Sequence, residues 1–221
     1  MVSILKHFAI EGVEIIPCRL NGPRGIVKSF LICGDERLIL VDTGYSDADA
    51  DIIMKRIGAI GRKQEDLNLC ILTHCHSDHV GGLKKLRDSL NFQLFAHELE
   101  IEGVKRIAGA DVDGVFRDGD SLVDCGGVKI LHMPGHTKGS ISLYLPRIKT
   151  LIAGDTVFSA GEHLIVSPAY LSDDPERAEQ SVQSLLQMNL DIERVLVGHG
   201  DDVYEDGSAR LGRILLAKRN F

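Results

Sequence analysis

Residues 73–82, Thr-His-Cys-His-Ser-Asp-His-Val-Gly-Gly, place three imidazoles and one carboxylate within six positions: His74, His76, Asp78 and His79. Imidazole nitrogen and carboxylate oxygen are donors that divalent transition ions accept at neutral pH. In an extended segment residues i and i+2 share a face, so His74 and His76 can reach one ion while Cys75 points away, into the interior. Gly81 and Gly82 permit tight backbone before the next helix. Three more residues of the same chemistry stand alone: His136 in Pro-Gly-His, Asp155 at the end of an apolar run, and His199 in Gly-His-Gly. Small neighbours at His136 and His199 leave room for a ligand to approach. A lone carboxylate at the end of a buried strand is costly unless it is paired or metal-bound. Five imidazoles and two carboxylates are too many for one tetrahedral ion. They suit two ions about 3.5–4 Å apart that share a carboxylate and a bridging water or hydroxide. A bound divalent ion lowers the pKa of its water toward about 7, which supplies a nucleophile without serine or cysteine.

These donors need elements that carry them to one place. Short β-rich runs at Val13–Leu20, Ile26–Cys33 and Arg37–Val41 are separated by turn residues, and Asp42-Thr43-Gly44 closes the third. From Asp47 to Ile60 apolar residues recur near helical spacing. Leu69–Leu72 reads as a buried strand leading into the histidine loop, Leu83–Leu90 as a helix and Gln93–Ala96 as a strand. Glu98–Gly119 reads as broken helix and loop. Val128–Met133, Ile141–Leu145, Thr150–Ala153 and Arg194–Val197 read as strands. Pro175–Met188 is a helix with Asp173 or Asp174 as N-cap and a proline at its first position; Ser208–Lys218 is a closing helix. Asp42, His74, His136, Asp155 and His199 all fall just after strand ends, where open α/β architectures place their sites. Two β-rich halves, each ending in helices, predict an α/β protein with a layered αββα arrangement.

Composition narrows the class. The chain has 221 residues, 44% hydrophobic and 26% charged, with a formal net charge of −7. That length and composition fit a single globular domain spanning residues 1–221. The acidic balance lacks the footprint of a nucleic-acid binder, and Lys84-Lys85 and Lys218-Arg219 read as solvated helix faces. The first residues show no signal-peptide pattern, no apolar run approaches the roughly 20 residues a bilayer needs, and five scattered cysteines do not form a disulfide framework. A cytoplasmic protein acting on a small molecule is expected, with no nucleic acid and no membrane; nothing in the sequence specifies an oligomeric state.

The loop at His74–His79 resembles the HxHxDH signature of the metallo-β-lactamase fold superfamily. Asp42 in Leu-Val-Asp-Thr-Gly, His136 in His-Met-Pro-Gly-His, Asp155 in Ala-Gly-Asp-Thr and His199 in Val-Gly-His-Gly follow in that family's order. The resemblance runs from about residue 13 to about 203. It implies an αββα sandwich of two mixed β-sheets flanked by helices, with metals at one edge. By the family pattern His74, His76 and His136 hold one ion, Asp78, His79 and His199 hold the other, and Asp155 bridges. Asp42 would then accept from a ligand imidazole and fix its tautomer, although a helix-cap or turn role fits equally, since Asp-Thr-Gly is also ordinary turn chemistry. Two zinc ions per chain are implied, with iron or manganese compatible with mixed histidine and carboxylate ligation.

Departures from subfamilies narrow the activity. The bridging Asp155 is present, His76 stands where flavodiiron relatives carry glutamate, and the Asp155–His199 interval is short for the nucleases' inserted domain. Only a short segment follows His199, where glyoxalase II enzymes carry a helical glutathione-binding domain. Phe158 stands where the homoserine-lactone lactonases place a tyrosine. The expectation is a binuclear metal-dependent hydrolase, glyoxalase II-like or lactonase-like, that cleaves a thioester, lactone or ester by hydroxide attack, with Asp78 shuttling the proton. One alternative is a mononuclear iron persulfide dioxygenase using His74, His136 and Asp155; others are a phosphodiesterase or nuclease and a non-catalytic metal scaffold. His132 reads as structural, and His7, His97 and His163 as surface or loop residues, with His163 in a position to border the pocket. Tyr170 and Tyr204 read as packing residues able to donate to substrate. Ile101–Phe116 and Ser159–Ser172 are expected to form the pocket walls.

Overall fold

A computed structural model describes residues 8–10, 13–22, 25–34, 37–161 and 163–218. Expectations for His7, for Arg219 and for turn residues between the first strands lie outside them. The chain divides into two compact units, residues 1–116 with 123–126, and residues 117–122 with 127–221.

The first unit is built on a seven-stranded sheet in sequential order: β1 (Phe8–Ile10), β2 (Val13–Gly22), β3 (Gly25–Cys33), β4 (Leu38–Val41), β5 (Leu67–Ile71), β6 (Gln93–His97) and β7 (Gly114–Phe116). Strands β1 to β4 are antiparallel, and β4 to β7 run parallel. The change follows the connections. Only a few residues of sequence separate the early strands, whereas α1 (Asp47–Ala59) carries the chain from β4 to β5 and parallel pairing requires such a crossover. Strand β4 is buried at all four residues, which explains its unbroken apolar sequence. One face packs Leu38, Leu40, Cys70, Leu72 and Leu94 against Ala50, Ile53 and Ile57 of α1, Leu83 and Leu86 of α3 (Leu83–Ser89), and Val104 of α4 (Ile101–Ala108).

The second unit holds a five-stranded sheet in the order β14-β11-β10-β9-β8, with β8 (Ser121–Leu122), β9 (Val128–His132), β10 (Ile141–Leu145), β11 (Thr150–Gly154) and β14 (Arg194–Val197). Only β11 and β14 pair in parallel. A separate hairpin joins β12 (Val157–Ala160) to β13 (His163–Val166). Helices α5 (Pro175–Gln187) and α6 (Gly207–Lys218) cover the sheet through Val182, Leu185, Leu211 and Ile214. Asp174 caps α5 by accepting from the backbone N–H of Arg177, with Pro175 at the first position, as the sequence predicts.

Both sheets are mixed and each carries helices, the α/β class expected. Two features differ from the sequence reading. Residues 98–119 hold a 3₁₀ turn and α4, as a broken helix would, but also the parallel edge strand β7. Three residues after a Gly- and Asp-containing run give no periodicity, and β7 forms only because β6 offers it a register. The segment expected as pocket wall after Phe158 carries the β12–β13 hairpin; four-residue strands are likewise too short to declare themselves.

Candidate metal centre

In the first unit β5 delivers the histidine loop. His76 is extended (φ −63°, ψ 149°), and α2 (Ser77–Val80) begins at once, with Asp78 in its first turn and His79 after it. The i, i+2 face predicted for His74 and His76 is present: their ring centroids lie 4.8 Å apart, edge to face, and His79 lies 4.1 Å from His74. Ligand atoms of His74 and His76, of His74 and His79, and of Asp78 and His79 are each within 4.8 Å of one another. His74, Asp78 and His79 are buried. Cys75 points away from them into the core, as alternation predicts. Burial pushes its thiol up to about 12, with the Glu100 carboxylate adding to the rise.

Asp42 organises this cluster. Its carboxylate is buried; Oδ1 accepts the Thr73 backbone N–H at 2.8 Å, and Oδ2 accepts the Thr73 hydroxyl at 2.7 Å. Oδ2 also lies 2.8 Å from His79 Nδ1. An ionised carboxylate only accepts, so His79 carries its proton on Nδ1 and leaves the Nε2 lone pair available to a metal. Thr73 has one hydroxyl proton, given to Asp42, so Thr73 Oγ1 accepts from His74 Nδ1 at 3.1 Å, which likewise puts the His74 proton on Nδ1 and makes Nε2 the lone-pair nitrogen. Asp42 thus acts as an orienting acceptor rather than a helix cap. The cap of α1 belongs to Ser46 and Asp49, whose carboxylate accepts the backbone N–H of Tyr45 and Ser46. Asp42 sits at φ 62°, a left-handed position that Asp tolerates better than most residues.

Gly81 and Gly82 have ordinary negative φ. Their need for glycine is closeness: a Cβ would lie 2.0 Å from the Tyr45 carbonyl oxygen at Gly81 and 2.4 Å from that of Thr43 at Gly82. The loop is pressed onto the turn that carries Asp42.

In the second unit three strand ends supply the donors: β9 leads to His136, β11 to Asp155 and β14 to His199. Asp155 Oδ2 lies 3.5 Å from Nε2 of His136 and 3.4 Å from Nε2 of His199. One carboxylate oxygen is thus near a nitrogen of each of two candidate ligand histidines. Nδ1 of His136 meets the Ser167 hydroxyl at 2.8 Å, which leaves its Nε2 for a ligand. The Phe158 ring stacks on His199, with centroids 5.3 Å apart and planes 10° from parallel, and lies 6.1 Å from His136.

His132 is structural, as expected, its Nε2 against the Lys138 carbonyl at 2.9 Å. His97, expected at the surface or in a loop, ends β6 and is buried; its Nδ1 accepts the Leu99 N–H and caps the 3₁₀ turn that follows. His163 is exposed on β13, and Tyr170 is 87% exposed. Tyr204 hydrogen-bonds Asp202; burial, and then the charge of Asp202, raises the phenol's pKa. Sequence reasoning does not single out Thr73, Ser167 and Glu100, which accepts the Cys75 N–H at 2.8 Å. Thr73 adjoins the signature, and that adjacency is a usable signal. Ser167 stands 31 residues from its histidine, with no local signal.

The sequence matches the model of the family described as the metallo-beta-lactamase superfamily over residues 22–199. It is similar to a hydroxyacylglutathione hydrolase of Brucella anthropi, 29% identical over 85% of this chain and 69% of that protein. It is also similar to a probable metallo-hydrolase of Methanocaldococcus jannaschii, 28% identical over 83% of this chain and 92% of that one. Among solved structures, a metallo-beta-lactamase from Pontibacter korlensis shares the fold with a TM-score of 0.76 at 19% identity, covering 98% of this chain and all of its own (100%). A metallo-beta-lactamase family protein from Thermus thermophilus does so with a TM-score of 0.73 at 22% identity, over 96% of this chain and 80% of that one. The matched span contains every donor from His74 to His199, and the chain belongs to the metallo-β-lactamase superfamily.

Proposed function

We propose that this metal-dependent hydrolase cleaves an ester-like bond, a thioester first and a lactone or simple ester next, at a pair of divalent ions held by His74, His76, Asp78, His79, His136, Asp155 and His199. In this reading residues 1–221 act as one functional domain, with His74, His76 and His136 for one ion, Asp78, His79 and His199 for the other, and Asp155 for both. The observation that carries it is Asp155 Oδ2 set between the Nε2 atoms of His136 and His199, which the family pattern assigns to different ions. The donor chemistry fits: nitrogen and carboxylate oxygen suit zinc, with iron or manganese as compatible substitutes. Orientation fits as well, because Asp42, Thr73 and Ser167 hold the far nitrogens of His79, His74 and His136.

Divalent ions bound there would lower the pKa of a water toward about 7 and polarise the scissile carbonyl. The chain's own part is positional. Asp42 keeps His79 in one tautomer, Thr73 relays the same constraint to His74, and Phe158 holds the His199 ring in plane. Asp78, buried at the start of α2, accepts the proton released when water attacks and passes it to the departing thiol or alkoxide. The thioester preference is supported by the hydroxyacylglutathione hydrolase relative, and the small-molecule substrate by the hydrolase relatives together.

The test is hydrolysis of a neutral acyl thioester, a γ-lactone and a bis-aryl phosphodiester by zinc-loaded protein. The expected result is thiol release from the thioester that Asp155→Ala reduces at least about 10³-fold, with an unchanged circular dichroism spectrum. Phosphodiester cleavage alone, or equal thioester turnover by Asp155→Ala, would overturn the reading.

A further inference from the structure

The β12–β13 hairpin has two faces of opposite character. Directly paired residues in an antiparallel ladder share a face. Val157 pairs with Val166 and Ser159 with Leu164; Val157 and Leu164 lie in the core of the second unit, and Val166 packs against it. The other face carries Phe158 paired with Ile165, and Ala160 paired with His163. This face leads outward from the metal donors, because Phe158 stacks on His199. The hairpin is also fixed to that histidine through backbone: Ser159 N–H donates to the His199 carbonyl at 3.2 Å.

The turn that follows grips the other histidine. Ser167 Oγ meets the His136 ring, and Asp173 N–H donates to the His136 carbonyl at 3.1 Å. Between these anchors Tyr170 is 87% exposed and Leu171 38%, and on the hairpin Ile165 is 36% exposed. Apolar side chains left in water singly are ordinary. Here three of them ride on the two elements anchored to His136 and His199, and Ile165 is paired directly with Phe158. Charge points the same way: residues 156–174 contain no lysine or arginine, while Glu162, Asp173 and Asp174 are acidic. An anionic group laid along this segment would meet no cation within it.

We propose that this shelf binds an uncharged aliphatic or aromatic acyl chain attached to the scissile carbonyl, so that the preferred substrates are apolar acyl thioesters. The inference rests on the hydrolase reading above and names its substrate class. Ile165, Leu171 and Tyr170 are specificity residues here; Phe158 joins them to the reacting centre.

The experiment uses acetyl, butyryl, hexanoyl and phenylacetyl thioesters of N-acetylcysteamine, and the same acyl groups on glutathione. Burial of a methylene is worth about a fourfold gain when complete, so an open shelf should give about twofold per added methylene. The expected result is a rise in kcat/KM of roughly 16-fold from acetyl to hexanoyl, carried by KM, with no gain from glutathione over the neutral thiol. Ile165→Ser and Leu171→Ser should each pull the hexanoyl-to-acetyl ratio toward one, and Met188→Ser, exposed elsewhere on the same unit, should not. Calorimetric binding of the non-hydrolysable ketone analogues of the acetyl and hexanoyl thioesters should show the same ratio. A flat chain-length series, a gain that follows the thiol instead of the acyl group, or variants that leave the ratio intact would overturn the shelf. Absence of all hydrolysis would instead remove the hydrolase reading, and the ketone binding ratio would still decide the shelf.

Discussion

At the scale of single residues the centre is a set of imidazoles whose tautomers are decided by their neighbours. Asp42 is the residue on which most of this depends, since it accepts from Thr73 twice and from His79 once. Asp42→Asn keeps the left-handed backbone acceptable but presents an amide where the carboxylate oxygen met Nδ1. We expect metal affinity to fall about 10–100-fold, as loss of a ligand's orienting partner usually does, measured by competition with a coloured chelator. Ser167→Ala removes the partner of His136 and should weaken metal binding less, because it withdraws a neutral hydroxyl rather than a charge. Equal affinities for Asp42→Asn and the parent would contradict the tautomer argument. These residues differ in how legible they are. His74, His76, Asp78 and His79 are adjacent in sequence, and the spacing of the first two alone gives their shared face. Asp42 is balanced in sequence between turn and orienting roles, because only folding brings Thr73 and His79 to it. Ser167 is invisible for the same reason, and His97 is misjudged because a buried cap leaves no pattern.

At the scale of elements, strand ends position the donors and close packing holds the loops that follow. Gly135 stands at φ 137°, and a Cβ there would lie 2.2 Å from the Ala178 backbone nitrogen in α5. Gly135→Ala should therefore destabilise by roughly 2–4 kcal/mol and displace His136, seen as a lowered melting temperature together with weaker metal binding. Asp174→Ala removes only the cap of the same helix and should cost about 1 kcal/mol, or about 2–4 °C in melting temperature, with little change in metal affinity. The contrast between these variants separates helix stability from loop placement. Apolar strands such as β3 and β4 and the capped helix α5 are readable because composition, cap and proline agree along each run. Strand β7 and the β12–β13 hairpin are not, since their existence depends on a partner strand rather than on their own three or four residues.

At the scale of the whole molecule, no helix among the described residues is long and apolar enough to cross a membrane. The five cysteines are free and buried. Burial pushes Cys18 and Cys33 from an ordinary 9.0 up to about 12 and Cys125 up to about 11. The folded state holds these protons more tightly than the unfolded state does. This part of the stability is complete below about pH 9 and is lost as pH rises toward about 11–12. Native protein at about pH 8 should accordingly resist a thiol-reactive dye, and guanidinium-unfolded protein should react at all five sites; rapid labelling of the native form would contradict the burial. The order of metal motifs along the chain makes the family legible from sequence, whereas substrate preference is not, because it lies in side chains such as Ile165 and Leu171 that belong to no motif.

That seven side chains hold a pair of ions is the central claim, and metal analysis of the purified, zinc-reconstituted protein by mass spectrometry tests it most directly. Two zinc per chain are expected, falling to one or none in Asp155→Ala. A single tightly held iron per chain, with no second ion taken up and with oxygen consumed in the presence of a persulfide, would contradict it.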